Sequence, residues 1–228
     1  MRSIIIGDVH GCNAELCALL DKVGPKPQED RLILLGDLFD RGPESYEVYQ
    51  TVQALACQFA ERFVLLRGNH EDYLLSEKLS LSQRIVWERV GRHATAASFK
   101  RHGARMEDAI PFLSGRCVNF YRGEGFMCVH AGIKIDPPEL NDTYTLLHDH
   151  GTVLQNRYIG PLAVCGHIAL EKPSYFCGDG KTVQTLPYGE HLALPKTGVI
   201  CIDTGCGKGG RLSAMITENG EYTLIGNN

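Results

Sequence analysis

Long apolar runs are missing from this 228-residue sequence, and so is an excess of basic residues. No run approaches the roughly 18 residues that a membrane-spanning helix needs. At the N-terminus only residues 4–6 form an apolar run before Gly7 and Asp8, so we expect no signal peptide, a cytoplasmic location and no membrane partner. The formal net charge of −4 argues against a nucleic-acid partner. Recognition of an anionic ligand must therefore depend on a local site.

Cysteine pairs with metal-binding spacing are also absent. The chain has nine cysteines, an odd number, and none of them forms a Cys-x-x-Cys pair. We therefore predict free thiols rather than a disulfide framework or a structural zinc site. Linkers, internal repeats and low-complexity tracts are lacking too, which predicts a single domain over residues 1–228.

Short apolar runs and helical patterns alternate in the first part of the chain. Three runs are too short for most helices and predict buried strands: residues 3–6, 32–35 and 63–66. Helical spacing of apolar residues follows the first two runs, to residue 23 and over residues 44–58. This alternation predicts an α/β fold made of βαβ units.

The pattern changes after residue 71. Residues 72–114 have helical spacing and predict a helical insert beside the site. Residues 117–121 and 126–129 flank Arg-Gly-Glu-Gly and predict a hairpin. Residues 136–160 are polar and irregular, with a short helix expected near 141–148, and the remainder is β-rich.

Metal-competent side chains follow each of the three predicted strands. They are Asp8 and His10 after the first, Asp37 and Asp40 with Arg41 after the second, and Asn69 with His70 after the third. In open α/β sheets ligands bind outside the carboxyl ends of strands, so we expect these groups to meet. His130 and His167 stand at the ends of later apolar runs. Carboxylates, an amide and imidazoles without thiolates favour a pair of Mn, Fe or Zn ions over Ca²⁺ or structural zinc.

Three sequence blocks resemble the signature blocks of the phosphoprotein phosphatase (PPP) family. They are Gly-Asp-Val-His-Gly (7–11), Gly-Asp-Leu-Phe-Asp-Arg-Gly (36–42) and Gly-Asn-His-Glu (68–71). The resemblance continues through Val-His-Ala-Gly (129–132), Gly-His (166–167) and Ile-Asp-Thr-Gly-Cys (202–206), and it is closest to the compact bacterial and phage-type members. It implies a calcineurin-like metallophosphoesterase fold, a β-sandwich flanked by helices (αββα).

The resemblance also implies two divalent metal ions, with Mn²⁺ favoured and iron or zinc as alternatives. The implied ligands are Asp8, His10, Asp37, Asn69, His130 and His167. The first two would bind one ion, the last three would bind the other, and Asp37 would bridge both. His70 would be the general acid, oriented by Asp40. Arg41 would bind the phosphate, and Arg157 is the best candidate for the family's second arginine.

The activity implied by the resemblance is that of a phosphomonoesterase, most simply a serine/threonine protein phosphatase. Its substrate would be a phosphoprotein or phosphopeptide, with phosphotyrosine left open and the ions readying water for in-line attack on phosphorus. Diadenosine tetraphosphate hydrolases resemble the chain in the same blocks, so hydrolysis of a dinucleotide at the same site is the alternative. A non-catalytic binding module is disfavoured because no implied ligand or acid is missing. The sequence gives no prediction of oligomeric state.

Overall fold

Two β-sheets form the centre of the molecule. The structure, a computed structural model, describes residues 1–227. Its strands are β1 (Ser3–Ile6), β2 (Arg31–Leu34), β3 (Phe63–Leu66), β4 (Cys117–Val118), β5 (Phe120–Arg122), β6 (Met127–Val129), β7 (Ala163–Cys165), β8 (Ser174–Phe176), β9 (Val183–Thr185), β10 (Leu192–Ala193), β11 (Val199–Cys201), β12 (Ser213–Glu218) and β13 (Glu221–Gly226). Its α-helices are α1 (Asn13–Val23), α2 (Ser45–Phe59), α3 (Asn69–Leu75), α4 (Leu81–Arg89), α5 (Arg92–Arg101), α6 (Ile110–Arg116), α7 (Thr143–Leu147) and α8 (Gly151–Leu154).

Each sheet combines parallel and antiparallel strand pairs. The first has the strand order β10-β13-β12-β1-β2-β3-β4, in which β1 to β4 run parallel. The second has the order β5-β6-β7-β11-β8-β9, in which β6, β7 and β11 run parallel. The carboxyl ends of β1, β2 and β3 therefore lie side by side, which places the three loops after them along one edge.

Residue alternation along the strands explains the layers. Ile5 packs in a cluster with residues of the second sheet such as Val164 and Ile200, whereas Ile4 and Ile6 face the opposite way, toward α1 and α2. A third cluster covers the outer face of the second sheet with Leu146 and Leu147 of α7 and Val153 of α8. The layers are thus helices, sheet, sheet and helices, which confirms the predicted α/β class and the helix-flanked sandwich.

Helices dominate the segment predicted as a helical insert. It contains the end of α3, all of α4 and α5, and most of α6. Phe99 of α5 is fully buried and its ring meets those of Phe39 and Tyr46, with centroids 5.9 and 5.2 Å away. This packing fixes α5 against α2 and against the loop after β2. The division into one domain stays a prediction.

The predicted hairpin of residues 117–129 is wrong in its first arm. That arm is split at Asn119, because β4 pairs with β3 in the first sheet whereas β5 pairs with β6 in the second. The chain crosses between the sheets there, and two adjacent apolar runs joined by one polar residue do not reveal such a crossing. Helix α8 also lies within residues 136–160, where only a short helix near 141–148 was expected.

Two expected absences concern the cysteines and membrane helices. Within residues 1–227 all nine cysteines are free. In the same stretch, no helix is both long enough and apolar enough to cross a membrane.

Candidate active site

Left-handed backbone conformations mark the loops at the strand ends. The φ angles are 48° at His10, 50° at Asp37, 69° at Asp40, 68° at Arg41 and 63° at His167. Residues other than glycine adopt such angles rarely, at a cost of about 1–3 kcal/mol each. Contacts with the surrounding fold must stabilise these strained conformations. The left-handed conformations in turn set the positions of five predicted site residues. The sequence carries no sign of them, because none of the five is a glycine.

Asp37 lies at the centre of the site. Its Oδ2 lies 3.5 Å from His10 Nε2, and its Oδ1 lies 3.4 Å from His130 Nε2. Two groups of possible metal ligands share this carboxylate: Asp37 with His10 and His70, and Asp37 with His130 and His167. In each group the ligand atoms lie within 4.8 Å of one another. One carboxylate between two groups is the arrangement that a bridged pair of ions requires.

Backbone carbonyls fix the tautomers of three histidines. Nδ1 of His10 donates to Phe39 O at 2.9 Å, Nδ1 of His130 donates to Leu35 O at 2.8 Å, and Nε2 of His167 donates to His148 O at 3.1 Å. The other nitrogen of each ring is then free to carry a lone pair, and it faces the site. Histidines that ligate metals are typically oriented in this way.

Acceptor atoms converge without enough donors between them. Asn69 Oδ1 lies 2.9 Å from His167 Nδ1 and 3.1 Å from His130 Nε2. Asp8 receives a hydrogen bond from His167 N on Oδ2, but its buried Oδ1 has no partner among residues 1–227. Burial and the carboxylate of Asp203 hold the pKa of Asp8 well above its usual range. These oxygen and nitrogen atoms suit a divalent cation as ligands, and the cation would stabilise the buried carboxylate of Asp8.

Two of the histidines differ in their affinity for protons. Burial lowers the pKa of His130, but the facing Asp37 carboxylate outweighs it and the pKa is raised to about 10. Burial and the neighbouring His130 lower the pKa of His167 to about 3. A cation bound by both rings would therefore displace a proton mainly from His130.

His70 is anchored differently from the three carbonyl-bound histidines. Its Nδ1 lies 2.6 Å from Asp40 Oδ2, and its Nε2 lies 3.8 Å from Asp37 Oδ2. Asp40 Oδ2 also accepts from Trp87 Nε1 at 2.7 Å, and Asp40 Oδ1 accepts from Thr95 Oγ1 at 2.7 Å. A buried carboxylate beside an imidazole favours its protonated form, which suits a proton donor.

The two predicted arginines have different surroundings. Arg41 is half-buried, and within the part of the chain that the structure describes its buried Nε has no hydrogen-bond partner. That unpaired donor beside Asp40 fits an anionic ligand. Arg157 is exposed, and its side chain makes no hydrogen bond or ion pair within residues 1–227. Its role as a phosphate ligand stays a prediction.

Glu71 is fully buried and braces the loop that carries Asp37. Its carboxylate accepts from the backbone N–H of Asp37 at 2.7 Å, of Leu38 at 2.9 Å and of Gly68 at 3.0 Å. Glu71 therefore holds the loops after β2 and β3 together through their backbone amides. Around Asp37 lie the other predicted metal ligands, Asp8, His10, Asn69, His130 and His167. Their role as ligands stays a prediction.

Sequence reasoning missed three residues of this region. Asp203 is buried and raises the pKa of Asp8, while Trp87 and Thr95 bind Asp40. Asp203 follows β11 in the chain, so its place after an apolar run was an available signal. Trp87 and Thr95 lie on α4 and α5, and only tertiary packing brings them to Asp40.

Two sheets flanked by helices, with two groups of possible metal ligands at one edge, define a metallophosphoesterase-type architecture. A family model described as calcineurin-like phosphoesterase matches residues 1–195. The chain therefore belongs to the calcineurin-like phosphoesterase family.

Relatives of known name are similar over part of the chain. A symmetrical bis(5'-nucleosyl)-tetraphosphatase of Pectobacterium carotovorum subsp. carotovorum (strain PC1) is 42% identical over 96 residues, which cover 42% of this chain and 33% of that protein. The matched segment thus spans about a third of the curated relative's length.

Solved structures match over nearly the whole chain. A metallophosphoesterase from Sphaerobacter thermophilus has a TM-score of 0.67 at 20% identity, with 99% of this chain and 88% of that chain covered. A serine/threonine phosphatase from Saccharomyces cerevisiae has a TM-score of 0.60 at 14% identity, with 99% and 79% covered. At these identities the likeness shows the fold alone.

Proposed function

We propose that this protein hydrolyses bis(5'-nucleosyl) tetraphosphates such as diadenosine tetraphosphate. The observation that carries the proposal is the 42% identity to a protein named as a symmetrical bis(5'-nucleosyl)-tetraphosphatase. The geometry supports the coarser part, a metal-dependent phosphoesterase, through the two ligand groups that share Asp37. Attack of water on a phosphorus beside the central bridging oxygen breaks that P–O bond and yields two nucleoside diphosphates.

Each residue of the site has a task in this reaction. Asp8, His10, Asp37, Asn69, His130 and His167 would hold two divalent cations. When bound, these cations ready water for attack and offset charge on the phosphoryl oxygens. Arg41 donates to a phosphoryl oxygen of the substrate, and Nε2 of His70 gives a proton to the oxygen that leaves. Asp40 holds the ring of His70 for that transfer.

A protein phosphatase uses the same groups and is the main prediction from the sequence. The curated relatives favour the dinucleotide alternative instead, since their names refer to a nucleotide substrate. The protein phosphatases among the structural neighbours are at most 17% identical, so they support only the fold. The identity of the ions stays a prediction, with Mn²⁺ favoured.

A substrate comparison tests the proposal. The protein is supplied with Mn²⁺ and given diadenosine tetraphosphate or phosphoserine and phosphothreonine peptides, and kcat/KM is measured for each. We expect a strong preference for the dinucleotide, with ADP as the sole nucleotide product. A preference for the phosphopeptides would refute the proposal, and release of AMP and ATP would refute cleavage at the centre.

A further inference from the structure

Two stacked rings lie next to the candidate active site, and one of them is exposed. We name the pair Tyr144 and His148 the aromatic shelf. Their ring centroids are 5.5 Å apart, with 10° between the ring planes. His148 covers one face of Tyr144, yet Tyr144 remains 65% exposed. Most of a large aromatic ring is therefore open to a further stacking partner.

The shelf contacts both sides of the site. On the proposed ligand side, His167 Nε2 donates to the backbone oxygen of His148 at 3.1 Å. On the proposed acid side, the ring of Tyr73 lies 5.7 Å from that of His148 and 6.1 Å from that of His70. Three successive ring contacts, with centroids 6.1, 5.7 and 5.5 Å apart, therefore link His70 to Tyr144.

Buried contacts hold the shelf in place. Asp142 Oδ1 accepts from Thr145 N at 2.7 Å and begins α7, whose Leu146 and Leu147 are buried. His148 Nε2 lies 3.1 Å from Asp72 Oδ2, and Asp72 pairs with Arg67. A surface that is already ordered loses little conformational entropy when a ligand binds it.

We propose that the aromatic shelf binds a purine base of the substrate, which stacks on Tyr144 while the phosphates occupy the metal site. This rests on the proposed function, because a nucleotide carries a base only a ribose and a phosphate away from the reacting phosphorus. Phosphoserine and phosphothreonine carry no ring at that position. Stacking on an aromatic side chain suits any base, so the shelf recognises a nucleoside without selecting strictly among bases.

Equilibrium binding separates a base contact from a phosphate contact. The Kd of ADP and the Kd of inorganic phosphate are measured by calorimetry with Mn²⁺ present, for the unmodified protein and for Tyr144→Ala. We expect Tyr144→Ala to weaken ADP binding by about fivefold or more, and phosphate binding far less. Tyr144→Phe keeps an aromatic face and is expected to restore most of the ADP affinity.

Leu140→Ala is the matched control. Leu140 is also 65% exposed and lies four residues before Tyr144, but it offers no ring. Its affinity for both ligands should equal that of the unmodified protein. If Tyr144→Ala loses affinity for ADP and for phosphate equally, or loses no affinity for ADP, the proposed base contact is wrong.

Hydrolysis of diadenosine tetraphosphate by the same variants separates the two proposals. If the unmodified protein cleaves the dinucleotide and Tyr144→Ala raises its KM about fivefold or more, both proposals are supported. If the dinucleotide is not cleaved while ADP binding still depends on Tyr144, the proposed function is wrong, but the aromatic shelf is supported as a nucleotide subsite. If the dinucleotide is cleaved equally well by Tyr144→Ala, the shelf fails alone.

Discussion

Nδ1 of His70 lies 2.6 Å from Oδ2 of Asp40, and both side chains are almost fully buried. Trp87 donates to the same carboxylate oxygen, so the acceptor is held between two donors. His10 makes the opposite choice and donates its Nδ1–H to the carbonyl of Phe39. Burial lowers the pKa of His70, but the carboxylates of Asp37 and Asp40 outweigh it and raise the pKa. Burial and the neighbouring His70 hold the pKa of His10 well below its usual range, which favours a neutral ring. Two histidines of one site are thus prepared for different tasks.

The first prediction concerns His70 and the basicity of the leaving group. His70→Asn should lower kcat by about 10²–10⁴-fold on phenyl phosphate, whose leaving oxygen needs a proton. On 4-nitrophenyl phosphate the loss should be clearly smaller, because that leaving group is a weak base. Asp40→Asn should show the same order of losses, because a neutral amide no longer favours the protonated imidazole of His70. Equal losses on both esters would argue against a proton donor.

The second prediction separates metal binding from proton transfer. Asp37→Asn should lose bound metal, because both ligand groups contain this carboxylate. His70→Asn should keep its metal, since the ring is anchored by Asp40 and its proposed task is proton transfer. Elemental analysis of the purified variants measures both. Full metal content in Asp37→Asn would rule out a bridging role.

The sequence predicts a site residue when the local pattern places it, but not when only tertiary packing brings it to the site. The acidic loops after β1 and β2 follow from local rules, because short apolar runs end where Asp8 and Asp37 begin the loops. His130 and His167 were joined to them mainly through the family resemblance, since periodicity does not say which later strand approaches which earlier one. Trp87 illustrates the limit: its α-helix was expected, but its hydrogen bond to Asp40 depends on how α4 packs.

The third prediction uses a glycine that leaves room for Asp8. A Cβ atom at Gly166 would overlap Asp8 Oδ1, the buried oxygen without a partner within residues 1–227. Gly166→Ala should therefore displace this carboxylate and reduce both metal content and turnover. Gly115→Ala is the control, because an added Cβ on α6 meets nothing within 4 Å among the described residues outside its own helix. It should keep metal and activity and gain about 0.5–1 kcal/mol in stability.

The fourth prediction concerns the stability of the loop after β2. Glu71 accepts three backbone hydrogen bonds with two oxygens, and its side chain is fully buried. In Glu71→Gln one oxygen becomes an NH₂ group, which faces a backbone N–H and leaves it unsatisfied. The free energy of unfolding should fall by about 1–3 kcal/mol, which urea denaturation at fixed metal concentration measures.

Glu77→Gln is the control for that measurement. Glu77 is exposed, and within residues 1–227 its carboxylate makes no hydrogen bond or ion pair. The variant's unfolding midpoint should match that of the unmodified protein. If Glu71→Gln unfolds at the same urea concentration as Glu77→Gln, the three amides do not depend on the carboxylate. The left-handed φ of 50° at Asp37 would then have to be held by other contacts, such as the hydrogen bond from His70 N to Asp37 Oδ1 at 3.0 Å.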